Sequence, residues 1–237
     1  MNSMIETPSI DTTVVMIAWS PNDYRMKIMR QSFASFKAHT QRNHLLVVVD
    51  NGPIEQTAFL EEQSIDVHIV NPVNLGVGKS RNAGAAAAAS SIDYIAFVDN
   101  DLGYFDGWLT ACIETLEKYP EEKLIASPVK NKPMRLSKYN RGMLDEYTLH
   151  ARCAGMAMVM RRTDYIAIGR FHERKTNVGH QFCASAKKHG YRFIHHPDWA
   201  GRHIAKRASY HYKKQQFDPV TGLWLAKKPL AISESKV

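Results

Sequence analysis

Cysteine is scarce in this 237-residue chain: Cys112, Cys153 and Cys183 are odd in number, widely spaced, and form no CxxC pair. That usage excludes a zinc ribbon, a thioredoxin-type centre and a disulfide scaffold, and predicts three ordinary reduced thiols. Long apolar runs are missing too. The most apolar stretch, Ala83 to Ala89 running on towards Ile92, is alanine-rich and broken by Asp93, short of the roughly 18 residues that a membrane span needs. Met1 to Thr12 is polar and mildly acidic, without the positive start and apolar centre of a secretory signal. Internal repeats are absent, and the alanine run reads as a tightly packed helix. These absences lead to the expectation of one domain over 1–237 with no transmembrane segment, in the cytoplasm, or in a host's cytoplasm if the protein is viral.

Two nucleotide-binding loops are also lacking, despite near matches. Gly78-Lys79-Ser80 ends like a P-loop, but Val73 stands where its first glycine belongs; Gly76 and Gly78 begin a GxGxxG pattern, but Arg81 stands at its third glycine. Acidic residues are sparse in one half only. The net charge is +8, yet Met1–Glu122 carries 8 Lys+Arg against 16 Asp+Glu, which leaves Lys123–Val237 with 23 against 7, a balance of +16. A field so concentrated favours an anionic partner, because it raises the local concentration of counter-charged ligands.

What is present is an alternation of strands and helices. Thr13 to Trp19, Leu45 to Val49, Val67 to Val70 and Tyr94 to Val98 are short apolar runs stopped by turn residues, which is the pattern of buried strands. Tyr24 to Phe36 has helical spacing at Met26, Met29, Phe33 and Phe36, and a helix is expected from about Val77 to Ala89. The alternation predicts an α/β fold with a mostly parallel sheet flanked by helices and ligands beyond the carboxyl ends of the strands. The second half is less regular: strands are expected at Leu124–Ser127, Gly155–Met160 and Tyr191–Ile194, a helix from Val178 to His189, and a basic extension after about His211.

Asp99-Asn100-Asp101 follows the strand Tyr94–Val98, where carboxylates can hold a hard divalent cation that bridges to substrate phosphates. Asn74 to Gly84 supplies a loop and helix start with Lys79 and Arg81, suited to placing backbone amides and a guanidinium near a diphosphate.

Taken in order, Val47-Val48-Val49-Asp50-Asn51-Gly52, then Asn74-Leu75-Gly76 with Arg81-Asn82-Ala83-Gly84, then Phe97-Val98-Asp99-Asn100-Asp101, resemble the family 2 glycosyltransferases of the Rossmann-like GT-A fold. The resemblance is specific from about Thr13 to Trp108. It implies a nucleotide-sugar half over about 13–122, an acceptor-side half over about 123–211 and an extension over 212–237. It also implies that Asp50 accepts from the base, uracil by the family pattern, with Asn51, Asn74, Gly76, Lys79 and Arg81 around the nucleotide. Asp99 would face the ribose or sugar, and Asp101, the end of a DXD-like motif, would ligate Mn2+ or Mg2+. Asp99 is a further candidate metal residue.

Beyond Trp108, Gly169-Arg170-Phe171-His172-Glu173 resembles the family's acceptor-side turn, but Val178-Gly179 stands where its Glu-Asp pair belongs. An inverting transfer needs a base for the acceptor hydroxyl, and His180 and Glu173 are the candidates. His203 resembles the late histidine that completes metal coordination in some GT-A enzymes. The acceptor is open between hydroxymethylated, phage-type DNA and a surface or lipid-linked glycan, with Arg202, Lys206, Arg207, Lys213 and Lys214 as the cationic track. The competing readings are a nucleotidyltransferase and a non-catalytic nucleotide-sugar or polyanion-binding protein.

Overall fold

The computed structural model describes residues 10–88, 90–129, 140–150, 153, 155–173, 178–196, 198–199, 201–204, 216–217 and 224–225. The chain divides into two compact units, Met1–Ile204 and Ala205–Val237.

In the first unit β1 (Thr12–Ala18), α1 (Asp23–His39), β2 (Leu45–Asp50), α2 (Ile54–Glu61), β3 (Val67–Val70), α3 (Val77–Ala87) and β4 (Tyr94–Asp99) follow one another. The four strands and two of the helices fall where the sequence predicts, within about three residues; α2 is additional. Then come β5 (Leu102–Gly103), α4 (Trp108–Lys118), β6 (Leu124–Ala126), β7 (Asn140–Leu144), β8 (Tyr147–His150) and β9 (Ala157–Arg161). The unit closes with α5 (Arg162–Ile168), α6 (Val178–Lys188), β10 (Arg192–His195) and β11 (Arg202–His203).

Nine strands make one sheet in the order β3-β2-β1-β4-β9-β6-β10-β8-β7. β3, β2, β1 and β4 are parallel. β9 runs against both β4 and β6, β6 and β10 are parallel, and β8 runs against β10 and β7. Of the nine, β8 and β9 oppose the common direction, so the sheet is mostly parallel.

The first strands read as continuous apolar runs because both of their faces are covered. Val14, Met16 and Ala18 of β1 pack with Met29, Phe33 and Phe36 of α1 and with Trp108, Leu109, Ile113 and Leu116 of α4. Val15 and Ile17 face the other layer, with Tyr165 and Ile168 of α5, Phe171, and Phe182 and Ala186 of α6. Each such large side chain, fully buried, stabilises the fold by about 1.5–3 kcal/mol.

Helix α1 begins where it does because Asn22 adopts an extended conformation and its side chain accepts from Arg25 N at 3.0 Å. The sequence spacing of the cysteines conceals a spatial pair: Cys153 and Cys183, not joined in a disulfide, have Sγ atoms 3.7 Å apart. In the second unit, β12 (Gln216–Phe217) and β13 (Trp224–Leu225) pair antiparallel. Lys206, Arg207, Lys213 and Lys214 lie outside the described residues.

Candidate active site

Strand order reverses at β1: the chain steps outward through β2 and β3, then returns to β4 on the opposite side. In an open sheet of this kind the ligand crevice lies at that reversal, beyond the carboxyl ends of the strands. Register puts two candidates there, since Ala18 pairs with Asp50 and Ile17 with Asp99.

Asp50 is 1% exposed, and its oxygens already accept from Gly52 N at 2.8 Å, from Gln56 Nε2, and from Thr57 Oγ1 at 2.7 Å. Three of the roughly four acceptor positions of this carboxylate are thereby filled, two on Oδ1 and one on Oδ2. Gln56 Oε1 is buried with no partner among the described residues. Asn51 is committed at both ends of its amide, donating to Ser80 Oγ at 2.7 Å and accepting from Asn71 Nδ2 at 2.8 Å. Asn74 Oδ1 accepts from Gly76 N at 2.8 Å, and Gly76 has φ +81, a left-handed value that favours glycine at the start of α3. These contacts tie the end of β2 to the loop that opens α3.

Lys79 and Glu173, both solvent-exposed, meet at 3.9 Å. Arg81 is buried. Its Nη2 donates to Asp99 Oδ1 at 2.9 Å and to Gly155 O, its guanidinium lies 5.2 Å from the Phe171 ring centroid, and Nε and Nη1 have no partner among the described residues. The neighbouring Asn82 explains the Gly-x-Phe-x-Glu turn: its amide donates to Phe171 O at 2.9 Å and accepts from Phe171 N at 3.0 Å. The turn is thus held against α3 as if by a strand ladder.

Asp101 is 6% exposed. Its Oδ2 takes Arg25 Nη2 at 3.1 Å and His203 Nε2 at 2.9 Å, while Oδ1 is buried with no partner among the described residues. His203 arrives there by backbone pairing: β11 lies antiparallel to β5, immediately after Asp101, and Ile204 N donates to Asp101 O at 2.8 Å. Asn100 is turned inward, donating to Ser20 Oγ at 3.1 Å.

The two carboxylates are perturbed in opposite directions. Burial pushes Asp99 up to about 6, Arg81 opposing the rise and Asp101 adding to it. Burial also acts against ionisation of Asp101, but the hydrogen bond and charge of His203 and the guanidinium of Arg25 outweigh it and hold Asp101 below the usual carboxylate range. Asp101 is accordingly the stronger acid of the two.

No group of three or more histidine, cysteine or carboxylate side chains able to hold a metal occurs among the described residues. A bare buried oxygen on Asp101 beside a histidine nonetheless fits a hard cation that takes its remaining ligands from diphosphate oxygens and water. Asp101 and His203 would hold it.

His180 is exposed in the first turn of α6. That end of the helix is drawn towards the site by two glycines: a Cβ on Gly179 would lie 2.8 Å from Gly155 Cα, and Gly155 is the residue whose carbonyl takes Arg81. Of the two positions that correspond to the family's Glu-Asp pair, Gly179 is therefore sterically closed to a side chain in this chain.

Arg25, Asn82, Gly155 and Phe171 carry contacts that the sequence did not assign. A signal existed for Arg25, because a cation in the first turn of a helix opposes the helix dipole and calls for a nearby acid.

The sequence matches the model of glycosyl transferase family 2 over residues 22–186. No curated protein matches it. Among solved structures, GalNAc-T7 with UDP, GalNAc and Mn2+ is similar at a TM-score of 0.63 and 12% identity, covering 83% of this chain and 44% of that one. S. aureus TarS is similar at 0.62 and 14%, covering 86% and 38%, and its 1–349 fragment at 0.60 and 17%, covering 86% and 63%. This chain thus spans less than half the length of the first two.

Proposed function

Because this chain belongs to glycosyl transferase family 2 and has the GT-A fold, we propose that it moves a sugar, with inversion, from a uridine nucleotide-sugar to a hydroxyl of an anionic acceptor. The observation that carries this reading is Asp101, whose Oδ1 is buried without a partner among the described residues and whose Oδ2 meets His203, at the strand-order reversal. A divalent ion, Mn2+ or Mg2+, would there offset the charge that the leaving diphosphate acquires. GalNAc-T7 was crystallised with such an ion and UDP.

The chain's own groups then take these roles. The imide edge of the base engages Asp50 and Gln56, whose Oε1 offers an unused acceptor. The loop Asn74–Gly76 and the exposed Lys79 lie along the diphosphate, and Arg81 fixes Asp99 towards the ribose or sugar. His180 takes the acceptor's proton; Glu173, in contact with Lys79, is the second candidate. Arg202 is the described member of the basic segment, which would receive either modified DNA or an anionic glycan.

The test is a panel of sugar nucleotides with Mn2+ or Mg2+, assayed for nucleoside diphosphate release in the presence of plain DNA, hydroxymethylated DNA or anionic glycan. Release that requires metal and one of the hydroxyl-bearing acceptors is expected. Nucleotide binding without release under any combination would overturn the catalytic reading in favour of a nucleotide-sugar-binding protein. Plain and modified DNA acting alike would remove DNA as the acceptor. The steric closure at Gly179 favours keeping that binding-only reading in view.

A further inference from the structure

Asp101 has two unequal oxygens. Oδ2 carries two donors, Arg25 Nη2 at 3.1 Å and His203 Nε2 at 2.9 Å, and Oδ1 carries none among the described residues. The Arg25 and Asp101 side chains are 15% and 8% exposed, so water compensates neither charge well. Guanidinium–carboxylate pairs frequently fork across both oxygens. Arg25 meets one oxygen only and leaves the other buried without a partner among the described residues, in the turn that follows β4. Its position has the same logic: Asn22 caps α1 through Arg25 N, which aims the first turn of the helix at the strand-order reversal.

We propose that Arg25 is the resident counter-cation of the metal site, a positioning residue that neutralises and orients Asp101 before an ion is bound and competes with that ion for the carboxylate. The inference rests on the assignment of Asp101 as a metal ligand. Two consequences have opposite signs. A positive charge fixed at 3.1 Å from Oδ2 repels an arriving dication, so Arg25 weakens metal binding. The same charge shields an arriving diphosphate from Asp99 and Asp101, so Arg25 strengthens nucleotide binding when no metal is present.

The experiment titrates the intact protein with Mn2+ alone, followed by electron paramagnetic resonance, and with UDP in the presence of chelator, followed by calorimetry, for wild type, Arg25→Gln and Arg25→Lys. Arg25→Gln is expected to bind Mn2+ about tenfold or more tightly, and UDP without metal about tenfold more weakly, because one unit charge is removed from a largely buried site. Arg25→Lys, which keeps the charge, is expected to stay close to wild type in both titrations. A merely structural role would weaken both ligands in Arg25→Gln, and that result overturns the proposal. Unchanged Mn2+ affinity in Arg25→Gln overturns it while leaving the metal site standing. Failure of all three proteins to bind Mn2+, with or without UDP, overturns the metal assignment itself and this inference with it.

Discussion

Replacing Asp99 by asparagine keeps the shape of the side chain and removes its titration, so the electrostatics of the site can be read without any substrate. In the native protein, burial raises this carboxyl to about 6 against Arg81, with Asp101 pushing the same way, whereas its ordinary value is 3.8. Below pH 3.8 the group is protonated in both the folded and the unfolded chain and contributes no pH dependence. Between pH 3.8 and about 6 the unfolded chain releases the proton while the native state keeps it, so wild type loses stability as pH rises. Above about 6 both states are ionised and the loss is complete. A rise of about 2 units at about 1.36 kcal/mol each corresponds to about 3 kcal/mol of lost stability. Urea denaturation in chelator, at pH 4 and pH 7, is the assay. Asp99→Asn should gain about 2 kcal/mol on wild type between those two pH values, less than the full amount because pH 4 already lies above 3.8 and the side chain is 30% exposed. Any constant offset, such as the Arg81 partnership lost in the variant, cancels in that difference. A relative stability that is flat with pH, or that moves in favour of wild type, would show that Arg81 and not burial governs Asp99.

Asp101→Asn should lower metal-dependent kcat/KM by at least about a hundredfold while the far-ultraviolet circular dichroism is retained, because an amide cannot offset the ion's charge; steady-state assays at limiting metal decide this. Asn82→Ala should cost about 1–3 kcal/mol in urea denaturation, since the backbone N–H and C=O of Phe171 lose their partners together; a change below about 0.5 kcal/mol would mean that the turn is held by packing alone. Gly179→Asp, which restores the family's carboxylate, should destabilise by about 1–3 kcal/mol and not raise turnover, because its Cβ meets Gly155 Cα at 2.8 Å; a more active variant would contradict this. His180→Ala should reduce kcat with little change in KM for the nucleotide-sugar, and equal loss in both would place His180 in binding instead of proton transfer.

The parallel half of the sheet was legible in the sequence because its strands are buried on both faces and therefore appear as unbroken apolar runs, each stopped by Asp or Asn. Asp50 and Asp99 were placed by the same signal, since a polar residue closing a buried strand of a parallel sheet must lie at its carboxyl edge. Helix α4 was not among the expected elements, although the spacing of Trp108, Leu109, Cys112, Ile113 and Leu116, all buried on one face, carried its signal. The short α2 is not, because Gln56, Phe59 and Leu60 are its only buried residues and define no stripe.

Local periodicity does not contain the encounters made by register and crossover, although the family resemblance had singled out His203. His203 reaches Asp101 across 102 residues because β11 zips onto β5. Arg25 reaches it because α1 starts at the reversal of strand order, and Cys153 meets Cys183 because the Gly155–Gly179 contact draws the residues beside Gly155 and the start of α6 together. Local periodicity fixes elements, since burial and backbone hydrogen bonding within a helix or strand depend on near neighbours. The pairing of one carboxylate oxygen, and the freedom of the other, depends on side chains from α1, the β4–β5 turn and β11 converging at one point, and only the packed sheet decides that.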